Sequence, residues 1–323
     1  MANLNVAVLA PAGYARDLGK KGTTSDITFY NQKRGEDTVT FIEPTRYPDR
    51  LAPLFYAASM AHEALVVIDA ITPAFGEWVL MLQALDIGSG AIILRNYLTP
   101  DRLRPYVRGT VLERYEYLEE DFIALRERYL CRAGEISGNQ PDHCRENRGT
   151  VSIDHHFNVK GIGTVILGGV ERGVIRKHDA VKVYPGEAAV QIRSIQKHDD
   201  DAGWAAEGDR VGLALKNIDA DSLDRGFVLS NDESIRSRIS LEAEAELVAY
   251  WPAPLEEGMV LHVGHWMQFV PARVVSAKSN GNWRKPVLGL ALEKDLVHLP
   301  GERAVLHYLD GGKLRIAGTV ALP

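Results

Sequence analysis

Cysteine is nearly absent from this chain: Cys131 and Cys144 are the only two among 323 residues, and they form no close Cys-x-x-Cys pair. That excludes a disulfide framework and a thiolate zinc site, so no metal is expected, and it fits a reducing, cytoplasmic compartment. Also missing are a basic leader in the opening MANLNVAVLA and any long apolar run, so neither a signal peptide nor a transmembrane helix is expected. Excess positive charge is lacking too. A net charge of -6 and a pI near 6.0 give no global basic field, so DNA and membranes are not expected partners and any RNA contact must come from a local patch. What the chain does have is bulk. With 46% hydrophobic and 25% charged residues, it can bury two or three separate cores.

Three regions separate along the chain, with boundaries at 1–137, a linker at 138–149, then 150–236 and 237–323. In the first, Asn5 to Leu9, Ile27 to Tyr30, Thr38 to Glu43, Ala64 to Ile68 and Gly90 to Leu94 read as strands, while Trp78 to Leu85 and Leu118 to Arg132 carry helical spacing. This is a βα pattern for a mostly parallel sheet with helices. The polar stretch Gly134 to Arg148 reads as a linker. From Val151 onward strands and turns dominate, broken again near Ser230 to Arg238, so two antiparallel β-barrels follow.

Ser152 to Pro185, SIDHHFNVKGIGTVILGGVERGVIRKHDAVKVYP, alternates side chains around Gly161 and Gly163, and Gly168 and Gly169 interrupt the strand. Glycines so placed let a small barrel bend sharply or bring backbones close. This stretch resembles the opening of the second domain of translation elongation factors of the elongation factor Tu superfamily. Glu207 to Asp219 and Asp224 to Asp232 resemble the close of that domain, about eighty residues in the right order.

The first region resembles the GTPase domain of the same factors in outline. Val6 to Leu9 stands at the first strand, Asp26-Ile27-Thr28-Phe29 resembles the switch phrase with its magnesium-sensing threonine, and Ala61 to Leu94 tracks the strand, helix and strand after switch II. The nucleotide chemistry departs from the family. A phosphate-binding loop needs glycines that aim N–H groups inward, a lysine and a hydroxyl. Here Ala15, Arg16 and Asp17 stand at the Gly, Lys and Thr positions, and the later Gly13-x5-Gly19-Lys20-Lys21 is one residue too long. Glu43-Pro44-Thr45-Arg46 replaces the γ-phosphate-sensing turn, and Arg95-Asn96-Tyr97-Leu98 replaces the guanine-reading Asn-Lys-x-Asp. The expectation is a degenerate GTPase domain, a pseudo-GTPase with no cofactor. GTP and Mg2+, held by Arg16, Asp17 and Thr28 in a new arrangement, belong to an alternative reading as an atypical GTPase.

Within the superfamily the chain is most similar to the selenocysteine-specific elongation factor, as a paralogue. Asp154-His155 before His156-Phe157, and Gly208-Asp209-Arg210, match residues that the resemblance implies line the pocket for the aminoacyl group. A selenol is largely ionised at neutral pH, and a pocket holding Arg210 and an Asp154-oriented His155 distinguishes it from a neutral serine hydroxyl. Other candidates are plainer. His262 and His265 in VLHVGHW fit a strand, and His198-Asp199-Asp200-Asp201 fits a solvated loop. Arg273, Lys278, Arg284 and Lys285, near Asn280 and Trp283, form a basic loop that can meet RNA phosphates. Leu241 to Pro323 resembles the third domain of the family; the further C-terminal segment of a full-length selenocysteine factor is not expected here, which, with the altered GTPase domain, argues against ordinary decoding delivery and leaves the ribosome open as a partner. The reading is an elongation-factor-like protein that binds selenocysteinyl- or another aminoacyl-tRNA without an ordinary GTP switch. A non-catalytic regulatory scaffold is the further alternative.

Overall fold

The computed structural model describes residues 2–138, 148–186, 188–279, 281–310, 312 and 315–323. Most of the expected linker, Cys144 and Asn280 therefore lie outside the described residues. By contact the chain divides into two units, Met1–Gln140 with Leu309–Ile316, and Pro141–Tyr308 with Ala317–Pro323.

The first unit is built on a seven-stranded sheet of β1 (Ala2–Leu9), β2 (Lys20–Thr24), β3 (Thr28–Arg34), β4 (Asp37–Glu43), β5 (Glu63–Ile68), β6 (Gly90–Leu94) and β7 (Glu116–Tyr117), in the order β2-β3-β4-β1-β5-β6-β7. β1 runs parallel to both β4 and β5, β5 to β6, and β6 to β7, whereas β2, β3 and β4 meander antiparallel. Val6, Ala7, Val8 and Leu9 are all buried, as a central strand covered on both faces requires. The helices are α1 (Ala52–Ser59), α2 (Pro73–Ala84), α3 (Pro100–Val107) and α4 (Phe122–Gly138). Leu125, Tyr129, Leu130 and Ala133 of α4 pack on Leu4, Val6, Val8 and Phe41.

Local chemistry moves two expected helix boundaries. Thr72 accepts the Phe75 amide and Pro73 takes the first helical position, so α2 begins before Trp78. Asp121 accepts the amides of Ile123 and Ala124 at 2.8 and 3.1 Å, which starts α4 after Leu118 and leaves Leu118 outside it. Lys20 and Lys21 lie in β2, paired with Asn31 and Tyr30, not in a phosphate-binding loop. Leu309–Ile316 returns to this unit, where Arg315 donates to both oxygens of Glu77 at 2.7 and 2.6 Å and to the Pro48 carbonyl at 3.1 Å.

The second unit holds two closed barrels. The first comprises β8 (Gly149–Val159), β9 (Gly163–Arg176), β10 (Ala180–Tyr184), β11 (Ala188–Lys197), β12 (Asp200–Ala202), β13 (Trp204–Ala206), β14 (Arg210–Lys216) and β15 (Val228–Ser230), and the β10–β11 pairing closes the ring. The second is closed by β16 (Arg236–Leu247), β17 (Val260–His265), β18 (Gln268–Lys278), β19 (Val287–His298), β20 (Arg303–His307) and β21 (Ile316–Ala321), in the order β16-β19-β18-β17-β20-β21. An α/β sheet domain followed by two antiparallel barrels is the architecture expected from the sequence. Gly168 shows why the glycines matter, since a Cβ there would stand 2.1 Å from the Ser152 carbonyl oxygen.

Candidate functional site

The register of β8 against β9 slips between Ile153 and His155, which pair with Gly168 and Leu167, leaving Asp154 as the extra residue of a bulge. Bulges re-aim side chains, and this one buries Asp154 to 1% exposure beside the core residue Ile153. Arg210, first residue of β14, reaches the Asp154 carboxylate with both terminal nitrogens, Nη2 to Oδ1 at 3.3 Å and Nη1 to Oδ2 more closely. His155 Nδ1 lies 2.5 Å from Oδ1 of the same carboxylate. Burial opposes ionisation of Asp154, but Arg210 and His155 hold its carboxyl below the ordinary range.

Two neighbours had no signal in the sequence reading. Arg225 donates Nε to the Asp154 carbonyl at 3.1 Å, and Glu171 accepts the Ser152 hydroxyl. Burial pushes the Glu171 carboxyl up to about 8, with Glu302, Glu207 and Asp154 adding to the rise. Asp209 turns away from the cluster, to Lys197 Nζ at 2.5 Å. The arrangement is therefore a buried carboxylate paired with the Arg210 guanidinium and the His155 imidazole, with a second guanidinium, that of Arg225, on the backbone carbonyl of the same residue.

The other expected residues fall elsewhere. Arg16 is exposed and folds its Nε onto the Gly13 carbonyl at 2.9 Å, Asp17 is exposed, and buried Thr28 shares a 2.6 Å hydroxyl contact with Thr45. Arg95, at the carboxyl end of β6, pairs with Glu120 and with Asp69 at 3.4 Å, and its guanidinium lies 5.2 Å from the Tyr14 ring centre. Tyr14 in turn packs on Phe122, ring centres 5.2 Å apart. These side chains crowd the carboxyl ends of the strands, where open α/β sheets receive ligands.

In the second barrel Lys278 and Lys285 line one groove of about 610 Å³ with Arg303, Asn282, Glu244 and Glu246, and Lys285 meets Glu246 at 3.0 Å. Arg284 instead donates to the carbonyls of Ala249 and Trp251 at 3.1 and 3.4 Å, and Arg273 donates to that of Gly258 at 3.3 Å. His262 and His265 both lie in β17 as expected, His265 Nε2 being 3.0 Å from Glu302. Among the described residues no group of three or more His, Cys, Asp or Glu is arranged to hold a metal, and no helix is long and apolar enough to cross a membrane.

Residues 163–230 match the family described as elongation factor Tu domain 2. An uncharacterised protein of Methanocaldococcus jannaschii is 39% identical over 309 residues, which cover 95% of this chain and 94% of that one. The selenocysteine-specific elongation factor of the same organism is 25% identical over 279 residues, and the match spans 81% of this chain and 60% of that factor. Among solved structures, the translation elongation factor SelB of Methanococcus maripaludis bound to the GTP analogue GppNHp superposes with a TM-score of 0.81 at 22% identity, covering 99% of this chain and 79% of that one. A bacterial selenocysteine-specific factor gives 0.79 at 18% identity, covering 100% and 58%. At those identities the structures establish the fold.

Proposed function

Because the chain belongs to the elongation factor Tu superfamily, we propose that it binds aminoacyl-tRNA, selenocysteinyl-tRNA foremost, through its first barrel and does so without an ordinary GTP switch. The observation that carries the reading is the buried Asp154–Arg210–His155 cluster on the bulge of β8. An ionised selenol brought to its rim gains the attraction of Arg210, with Arg225 beside it, whereas a seryl hydroxyl displaces water from those groups and returns little. Lys278 and Lys285 are the proposed contacts to RNA phosphate, together with Arg303; Arg273 and Arg284, turned to backbone carbonyls, are weaker candidates.

Support for the missing switch comes from the first unit. Arg95 is engaged by Glu120, Asp69 and the Tyr14 ring at the carboxyl end of β6, and no residue of Arg95-Asn96-Tyr97-Leu98 offers a carboxylate to a guanine. Purified, nucleotide-stripped protein titrated with a fluorescent GTP analogue and Mg2+ is expected to show no saturable signal. Guanine-selective saturation would replace this reading with the atypical GTPase. Filter binding of selenocysteinyl- and seryl-tRNA is the companion test: the parent retains the first more tightly, and Arg210→Ala loses about tenfold or more of that affinity. Retention of neither tRNA would leave a regulatory scaffold, and equal retention of both by parent and variant would keep a tRNA carrier but remove the selenol-selective role of Arg210.

A further inference from the structure

The loop after β1 turns at Gly13, whose φ of 82° is left-handed, and enters a single 3-10 turn over Tyr14–Asp17. A left-handed residue followed by right-handed ones aims successive amides into one hollow, which collects negative charge. That hollow is already filled. The Gly13 and Ala15 amides donate to Glu43 Oε1 and Oε2 at 2.5 and 3.1 Å, and Glu43, the last residue of β4, is 4% exposed. A carboxylate this buried is costly unless its oxygens are matched, and the two amides supply the match.

The consequences extend along the chain from Glu43. Thr45 joins Thr28 through their hydroxyls at 2.6 Å, and the Arg46 amide donates to the Asp26 carbonyl at 3.2 Å. The loop after β1, the start of β3 and the turn after β4 are thus tied to one another by the chain's own groups. These are the places that the resemblance assigns to the phosphate loop and the two switches.

We propose that Glu43 is a tethered anion that closes the first loop and fixes it to the turn after β4, so that this unit keeps one conformation whether or not nucleotide is present. The inference rests on the reading that the unit is not a GTP switch. It assigns that constancy to one carboxylate.

Amide hydrogen exchange of the whole protein, parent against Glu43→Gln, tests it. Glutamine keeps the size and removes the charge. Exchange across residues 10–18 is expected to accelerate about tenfold or more in the variant, with the two barrels unchanged. If the variant protects this loop as well as the parent does, the charge does not close it and the proposal falls. Should Glu43→Gln not fold, the parent decides by NMR: the Gly13 and Ala15 amides exchange more slowly than the other exposed-loop amides of 10–18, and rapid exchange at both overturns the proposal. GTP with Mg2+ is added to the parent as a separate arm. Saturable new protection there would sink the no-switch reading and with it the constancy assigned to the unit, while the dependence on Glu43 measured without nucleotide separately judges whether the carboxylate closes the loop.

Discussion

Lys197 is a buried ammonium, with 6% of its side chain exposed, held between the Asp209 carboxylate at 2.5 Å and the face of Trp204 at 4.6 Å. Asp209 also accepts the Ala206 amide, so it cannot turn to solvent without breaking the turn that delivers Arg210. Lys197→Met leaves that carboxylate buried and unpaired, and a loss of about 3 to 5 kcal/mol is expected from urea unfolding, largely recovered when Asp209→Asn is added. The same neighbourhood shows what residue-level reading can reach. Asp154, His155 and Arg210 stand in local phrases, Asp-His before a Phe and Gly-Asp-Arg in a turn, and the structure brings those three together. Lys197 stands in no such phrase, and the phrases that contain Arg225 and Glu43 do not name their partners, because each contact depends on a residue fixed by register or by a bulge far along the chain.

At the scale of elements, each barrel carries a titratable side chain whose folded surroundings give it an acid response of its own. His307 of β20 is fully buried beside Phe269, with Nδ1 3.1 Å from the His262 carbonyl, and burial pushes its pKa down to about 3 from 6.5. The unfolded chain therefore binds a proton that the folded barrel refuses. Stability is full above pH 6.5 and falls by about 1.4 kcal/mol per pH unit from this residue as the pH drops toward 3. His307→Leu flattens that slope in pH-dependent thermal melts. Glu171 of β9 responds in the opposite sense: its folded pKa, raised to about 8 from 4.5, makes the folded state the better proton binder, so stability declines as the pH rises between those values. Between about pH 4.5 and 6.5 the two slopes oppose each other, so the decline shows from pH 6.5 to 8; Glu171→Gln is expected to remove it, and a parent melting temperature flat over that interval would contradict it. Elements also differ in legibility. Alternating strands and the long α4 show in the pattern, whereas α1 has no side-chain cap to mark its start and α3, though opened by Thr99-Pro100-Asp101, is short and has its spacing interrupted by Pro105.

At the scale of the molecule, contact grouping and chain order disagree. The sequence suggests regions that follow one another, yet Leu309–Ile316 belongs with Met1–Gln140. Its anchor is Arg315 on Glu77, whose carboxylate is 5% exposed and also accepts the Tyr47 hydroxyl at 2.9 Å. Arg315→Ala is expected to destabilise the first unit by about 3 kcal/mol in a denaturant melt followed through Trp78, and a fragment of residues 1–138 melts below the same unit in the whole chain. A fragment as stable as the parent unit would show that the anchor adds nothing.

Arg315 follows Glu77 by 238 positions. A chain emerging at roughly 5 to 20 residues per second leaves that carboxylate without its guanidinium for about 10 to 50 s. During synthesis the Tyr47 hydroxyl is therefore the partner this carboxylate keeps, and the first unit reaches its full stability only after the segment that carries Arg315 has emerged, long after its own strands and helices.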